Sequence, residues 1–311
     1  MPLDEAVERF LSHLRAVRSP HTVKAYATDL AQFVEYALSA GLEQVEHLNA
    51  RLVRSWFTTL EATSPSTRAR KLYCLRAFFK FCRAMHWLTH DPSAEVAFPM
   101  LRRRLPKFLT IAQAEQLMQQ PELEQQSEPM QQPQPKQHPL RLRDRAILEL
   151  LYATGLRVSE LVSLDVQSLD LEQSAIQVRG KGGRMRLVLF GRAAQEALVD
   201  YLQYARPRLL NPHKPTRALF LNAQGTRLTP RSVHRLVKRY GKQIGVDISP
   251  HVLRHTFATH MLSGGADLRA VQELLGHSRL TTTQVYTHLT LDKLRQTVDR
   301  ALPSLSMEEE P

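Results

Sequence analysis

Four short segments of this chain hold residues that could act on a phosphate diester: Arg157, Lys181, His251 with Arg254, and His277 with Tyr286. Arg157 lies in Thr154-Gly155-Leu156-Arg157-Val158-Ser159-Glu160-Leu161, just past a glycine placed to end a helix. Its guanidinium offers a planar fork of donors suited to two phosphate oxygens. Taken alone it reads as an ion-pair partner, with Glu160 the nearest carboxylate. Lys181 sits in Gly180-Lys181-Gly182-Gly183, a turn tight enough to approach a ligand, where an ammonium could protonate a leaving oxygen. The commoner reading of such a lysine is a solvated side chain. In Ser249-Pro250-His251-Val252-Leu253-Arg254-His255, Ser249 caps and Pro250 starts a helix. His251 and Arg254 then share one face of its positive end, which favours an anion. His255 is close enough that periodicity does not choose between the two imidazoles. Gly276 ends another helix before His277, and Thr281-Thr282-Thr283 supplies caps for a short helix carrying Tyr286. A phenol with an ordinary pKa near 10 becomes a nucleophile only beside a proton acceptor and positive charge. Tyr201 and Tyr204, by contrast, read as packing groups on an amphipathic helix.

The elements that must position these groups are mostly helices. Leu3–Val17 and Leu48–Leu60 have helical patterning, and Ser19-Pro20 and Ser64-Pro65 each open a longer helix. In the last of these Leu72, Leu75, Phe78, Phe79 and Cys82 form the apolar side, with Arg68, Lys71 and Arg83 among its basic residues. A bundle of about four helices is the expected N-terminal architecture. After Pro92 the periodicity fails, and Arg102-Arg103-Arg104 falls in an extended basic connector. A short helix over Ile111–Met118 precedes residues 119–139, rich in Gln and Pro, expected as a flexible surface loop. Helices are expected at Leu142–Ala153, Arg192–Ala205, Pro230–Ile244, Pro250–Leu262 and Leu268–Leu275, with shorter ones at Thr282–Tyr286 and Leu291–Ala301. Ala175–Val178 and Met185–Phe190 read as a strand hairpin. The fold class is therefore mainly α: an N-terminal helical bundle followed by a mixed α/β domain with a small antiparallel sheet.

A net charge of +12 points to an anionic partner. It is spread over both modules: 16 Lys and Arg face 10 Asp and Glu in residues 1–107, and 25 face 13 in residues 140–302. Two basic modules suit a protein that grips a nucleic-acid backbone. No apolar run approaches the roughly 20 residues of a membrane span, and no signal peptide is evident, so cytoplasmic residence is expected. Cys74 and Cys82 share one helix roughly 12 Å apart, too far for a disulfide, and are expected as reduced core residues without a zinc site.

Arg157, Lys181, His251, Arg254, His277 and Tyr286 occur in the order of the tyrosine recombinases, which this chain resembles. TGLRVSEL, RGKGGR, HVLRHTFATH, LLGHS and TTTQVYTHL are similar to the Xer recombinases, and VYTHLT is more similar to the XerC than the XerD branch. The resemblance covers nearly the whole chain. It implies a SAM-like core-binding, DNA-binding domain at residues 1–105 and a catalytic domain at 106–311, interrupted by a 119–139 insert longer than the family pattern. It also implies that Tyr286 attacks the scissile phosphate, forming a 3′-phosphotyrosyl bond and releasing a 5′-hydroxyl. Arg157 and Arg254 hold non-bridging oxygens, His277 adds a hydrogen bond, His251 accepts the tyrosine proton and Lys181 protonates the leaving oxygen. Glu160 orients a neighbouring cation.

Two guanidiniums stand in for a divalent metal, so the resemblance implies no cofactor, no metal and no ATP. Its implied partners are double-stranded DNA, a tetramer built with a second Xer-type recombinase or with itself, and an activating DNA translocase. The implied role is resolution of chromosome dimers at a dif-like site during chromosome segregation. The residues leave two rivals open: a type IB topoisomerase-like relaxing enzyme, and a DNA-binding protein without catalysis.

Overall fold

The computed structural model describes residues 1–100, 107–126, 138–180, 183 and 185–275. The chain divides into two compact units, Met1–Arg104 and Leu105–Pro311. In the first, α1 (Leu3–Val17), α2 (Pro20–Ser39), α3 (Ala50–Thr59) and α4 (Pro65–Ala84) form the expected bundle. The two Ser-Pro starts act alike: Ser19 Oγ accepts the Thr22 N–H at 3.3 Å, and Ser64 Oγ accepts the Thr67 N–H at 3.1 Å. Asn49 caps α3 in the same way, so that helix begins two residues later than its apolar pattern suggests. Phe10, Phe33, Trp56, Phe78 and Phe79 fill the core, with Phe33 and Trp56 edge to face at 5.2 Å. Lys71 departs from the solvent-facing role its helix suggested. It is 4% exposed, bonds Asp29 at 3.1 Å and lies over the Trp56 ring. Cys74 and Cys82 are buried and unpaired with each other.

In the second unit, α6 (Pro139–Thr154) is buried along nearly all of Leu142–Thr154 and forms the axis on which the rest packs. Around it lie α5 (Ile111–Gln126), α7 (Val158–Ser163), α8 (Arg192–Asp200), α9 (Arg206–Leu209), α10 (Pro230–Gln243), α11 (Pro250–Ser263) and α12 (Leu268–Leu275). A π-helical turn at Tyr201–Ala205 joins α8 to α9, and the buried Tyr201 hydroxyl donates to Leu219 O at 2.9 Å. Tyr204 is instead exposed. The sheet is antiparallel, in the order β1 (Leu169–Asp170), β2 (Ala175–Arg179), β3 (Met185–Leu189). The short β1 carries no alternation that a sequence pattern could register. Between β2 and β3, Val178 faces Arg186 and Ile176 faces Val188.

One expectation fails in part. Residues 119–126, where the composition predicts the start of a flexible loop, continue α5, which accommodates Pro121 within it. An interior proline costs about 3 kcal/mol, more than the propensity of the neighbouring Gln, Glu and Leu returns. Packing on α6, with Glu122 paired to Arg145 at 2.6 Å, carries the helix past it. Residues 127–137 of the same insert lie outside the described residues, as do the Arg102–Arg104 connector and the two C-terminal helices expected from the sequence.

The opening segment of this unit is bonded to α11. Leu109 N–H donates to Thr256 Oγ1 at 3.0 Å, and Leu109 O takes a bond from His260 Nε2 at 2.9 Å. Since a carbonyl only accepts, Nε2 carries the proton, and His260 Nδ1 accepts from the Tyr152 hydroxyl at 2.9 Å. Burial lowers the His260 pKa from 6.5, although the Leu109 bond works the other way. The imidazole is thus held neutral.

Candidate active site

The site is built where α6 stops. Gly155 caps that helix in the left-handed region, at φ +57°, with its N–H on Leu151 O at 3.0 Å. A side chain is also excluded by space: a Cβ at Gly155 would stand 2.6 Å from Phe257 Cδ1 and 2.9 Å from Leu275 Cδ2. This tight turn delivers Arg157 two residues later, at the start of α7.

Glu160, one turn into α7, is 5% exposed and gathers three sets of donors. Its carboxylate accepts the Arg157 backbone N–H and the Arg157 Nη1 donor, each at 2.9 Å. Arg186 on β3 adds a two-pronged bond, Nη1 to Oε1 and Nη2 to Oε2, both at 2.9 Å. Burial pushes the Glu160 carboxyl up, but the Arg186 bonds, the Arg157 N–H and the two guanidinium charges outweigh it. Its pKa is held below the ordinary 4.5.

Arg254, on α11, reaches the same place from another direction. Its Nη1 donates to Gly155 O at 2.5 Å and its Nη2 to Leu275 O at 2.6 Å. Both carbonyls lie at helix C-terminal ends, whose partial negative charge suits a cation. Burial pushes the Arg254 pKa down to about 10; the Arg157 and Arg186 charges act in the same direction, against Glu160. Among the described residues two of these guanidiniums, Arg157 and Arg186, bond the Glu160 carboxylate, while Arg254 lies near enough to feel all three charges, leaving positive charge in excess. A phosphodiester entering this cluster would relieve that repulsion.

His251, three residues before Arg254, is exposed at the start of α11, and the ring of the half-buried His255 meets Phe108 edge-on at 6.3 Å. Ser249 does not cap α11 through its side chain; its carbonyl takes the Leu253 N–H instead. Arg157 and Arg254 are brought together, with His251 on the same helix as Arg254. Lys181, His277 and Tyr286 lie outside the described residues. Sequence reasoning overlooked Arg186. The signal was there: Arg186 stands two residues before the buried Val188 and so falls on the same, inward face of β3, where a cation requires a partner. Among the described residues no three His, Cys, Asp or Glu gather as a metal set, and no helix is long and apolar enough to cross a membrane.

Comparison with known proteins bears on this geometry. The profile of the Phage integrase family matches residues 107–292, and that of the phage integrase N-terminal SAM-like domain matches residues 7–86. The chain is 41% identical to the tyrosine recombinase XerC of Pelobacter propionicus, covering 97% of this chain and 96% of that protein. It is 38% identical to the tyrosine recombinase XerD of Listeria monocytogenes, covering 94% and 97%. Among solved structures, XerH site-specific recombinase bound to its difH substrate shares the fold with a TM-score of 0.65, at 22% identity over 94% of this chain and 83% of that one. The Tn1549 transposon integrase in complex with circular intermediate DNA gives 0.69, at 19% identity over 96% and 95%.

Proposed function

This chain belongs to the phage integrase family of tyrosine recombinases, and on that premise we propose that it cuts and rejoins DNA through Tyr286. The observation that carries the reading is the junction of α6, α7 and α11. Arg254 bonds the carbonyl of Gly155, two residues ahead of Arg157, and positive charge exceeds negative there. Such a cluster stabilises the charge that grows on a phosphate as it becomes five-coordinate.

In the proposed step the Tyr286 phenolic oxygen forms a bond to phosphorus as the bond to the 5′-oxygen breaks. His251 takes the phenol proton and Lys181 gives one to the departing 5′-oxygen. Arg157 and Arg254 hold the non-bridging oxygens, with His277 adding a hydrogen bond. One phosphodiester is exchanged for another, so the step requires neither ATP nor an oxidant, and the guanidiniums supply the charge a metal would bring. Reversal by a different 5′-hydroxyl exchanges strands. The first unit serves as the core-binding domain that grips duplex DNA, and four protomers act on two sites, with a second Xer-type recombinase or with copies of this chain. A DNA translocase is the proposed activator.

The likeness to XerC, XerD and XerH supports a dif-like target and a role in resolving chromosome dimers. We place this work in the cytoplasm, where the buried Cys74 and Cys82 stay reduced.

Incubation with nicked suicide duplexes tests the reading. The protein should become covalently attached to a duplex carrying the dif-like site of its own chromosome, equally well with EDTA present. Equal attachment to a scrambled duplex would point to a site-blind, topoisomerase-like enzyme, and loss of attachment in EDTA would contradict the metal-free chemistry.

A further inference from the structure

Arg186 stands on the inward face of β3, opposite Val178 and in phase with the buried Val188. Its side chain is 12% exposed, and its Nε is buried without a hydrogen-bond partner. Burying a guanidinium with one donor unsatisfied is costly, and ion pairs of this kind are weak sources of stability: apolar replacements of similar volume are often as stable. What Arg186 achieves is geometric. Its two Nη groups each take one oxygen of Glu160, and this two-point hold fixes the rotation of that carboxylate. Glu160 in turn holds Arg157 through Nη1 and the backbone N–H.

We propose that Arg186 is a positioning residue for DNA cleavage, locking Glu160 so that Arg157 is presented to the scissile phosphate in one orientation. This rests on the reading of Arg157 as a phosphate ligand. Without Arg186 a single carboxylate faces Arg157 alone. The carboxylate can then turn, and Arg157, whose side chain is 39% exposed, can follow it away from the phosphate. Because Arg186 is largely buried and bonded through both Nη atoms to Glu160, it adds little to the initial capture of DNA. Its effect belongs to the chemical step, where misplacement of a reacting group is expensive.

The test compares wild type with Arg186→Met in single-turnover cleavage of the suicide duplex, alongside DNA affinity. Arg186→Met should slow cleavage at saturating protein by about 10- to 100-fold, with affinity changed by less than about threefold. A second duplex carries a methylphosphonate at the scissile position, which removes the negative charge that Arg157 answers. On it the Arg186→Met deficit should shrink to less than about threefold. A cleavage rate within about twofold of wild type, or an equal deficit on both duplexes, would overturn the proposal. Should Arg186→Met fail to fold, Arg186→Lys decides: it keeps the charge but cannot span both oxygens, so its rate should fall, and a wild-type rate would refute the role. Failure of wild type itself to form an adduct would instead count against the recombinase reading.

Discussion

Glu160 is a carboxylate whose ionisation depends on its neighbours: burial opposes the charge, and Arg186 and Arg157 restore it. Its folded pKa is depressed, so it contributes stability that is complete above the ordinary 4.5 and is lost as pH falls through the lower folded value. Urea unfolding at a series of pH values should show wild type exceeding Glu160→Gln near neutrality, the gap narrowing as the solution is acidified below 4.5. A gap independent of pH would mean that the carboxylate is not ion-paired as described. Residue types announced part of this cluster, because Arg157 and Arg254 stand beside Gly155 and Pro250, at breaks where cations have reason to lie. Arg186 was hidden by a hairpin rich in positive residues, and only its phase with Val188 gave it away. His260 was equally hidden, since burial and its bonds to Tyr152 and Leu109 depend on elements far apart in sequence.

Among the elements, the junction of α6 with α7 is the least tolerant of change. Alanine at Gly155 would have to adopt φ +57° and press its Cβ against the buried Phe257 ring and Leu275. We expect Gly155→Ala to destabilise the chain by about 2–5 kcal/mol, combining left-handed strain with overpacking. Chemical denaturation measures this directly, and a loss below about 1 kcal/mol would show that the turn can relax. Helix starts were partly legible from local chemistry: Ser19 and Ser64 cap where a following proline marks the first turn, whereas Ser249, expected to do the same before Pro250, makes no side-chain cap. The end of α5 was not, because proline and glutamine pull in opposite directions and packing on α6 decides between them. β1, two residues long, is fixed by its pairing to β2 rather than by any pattern of its own.

At the scale of the whole chain, each unit has its own hydrophobic core, and positive charge is spread along both rather than confined to the phosphate cluster. Nonspecific attraction to DNA can come from that charge alone. The proposed chemistry demands more: covalent attachment to DNA through one phenol, Tyr286, among the eight tyrosines. The measurement that tests it most directly is covalent capture on the suicide duplex, comparing wild type with Tyr286→Phe and mapping the attached peptide. We expect a wild-type adduct on the peptide containing Tyr286 and none in the variant, with DNA binding retained. An adduct of equal yield in Tyr286→Phe, or attachment mapped to another tyrosine, would contradict it.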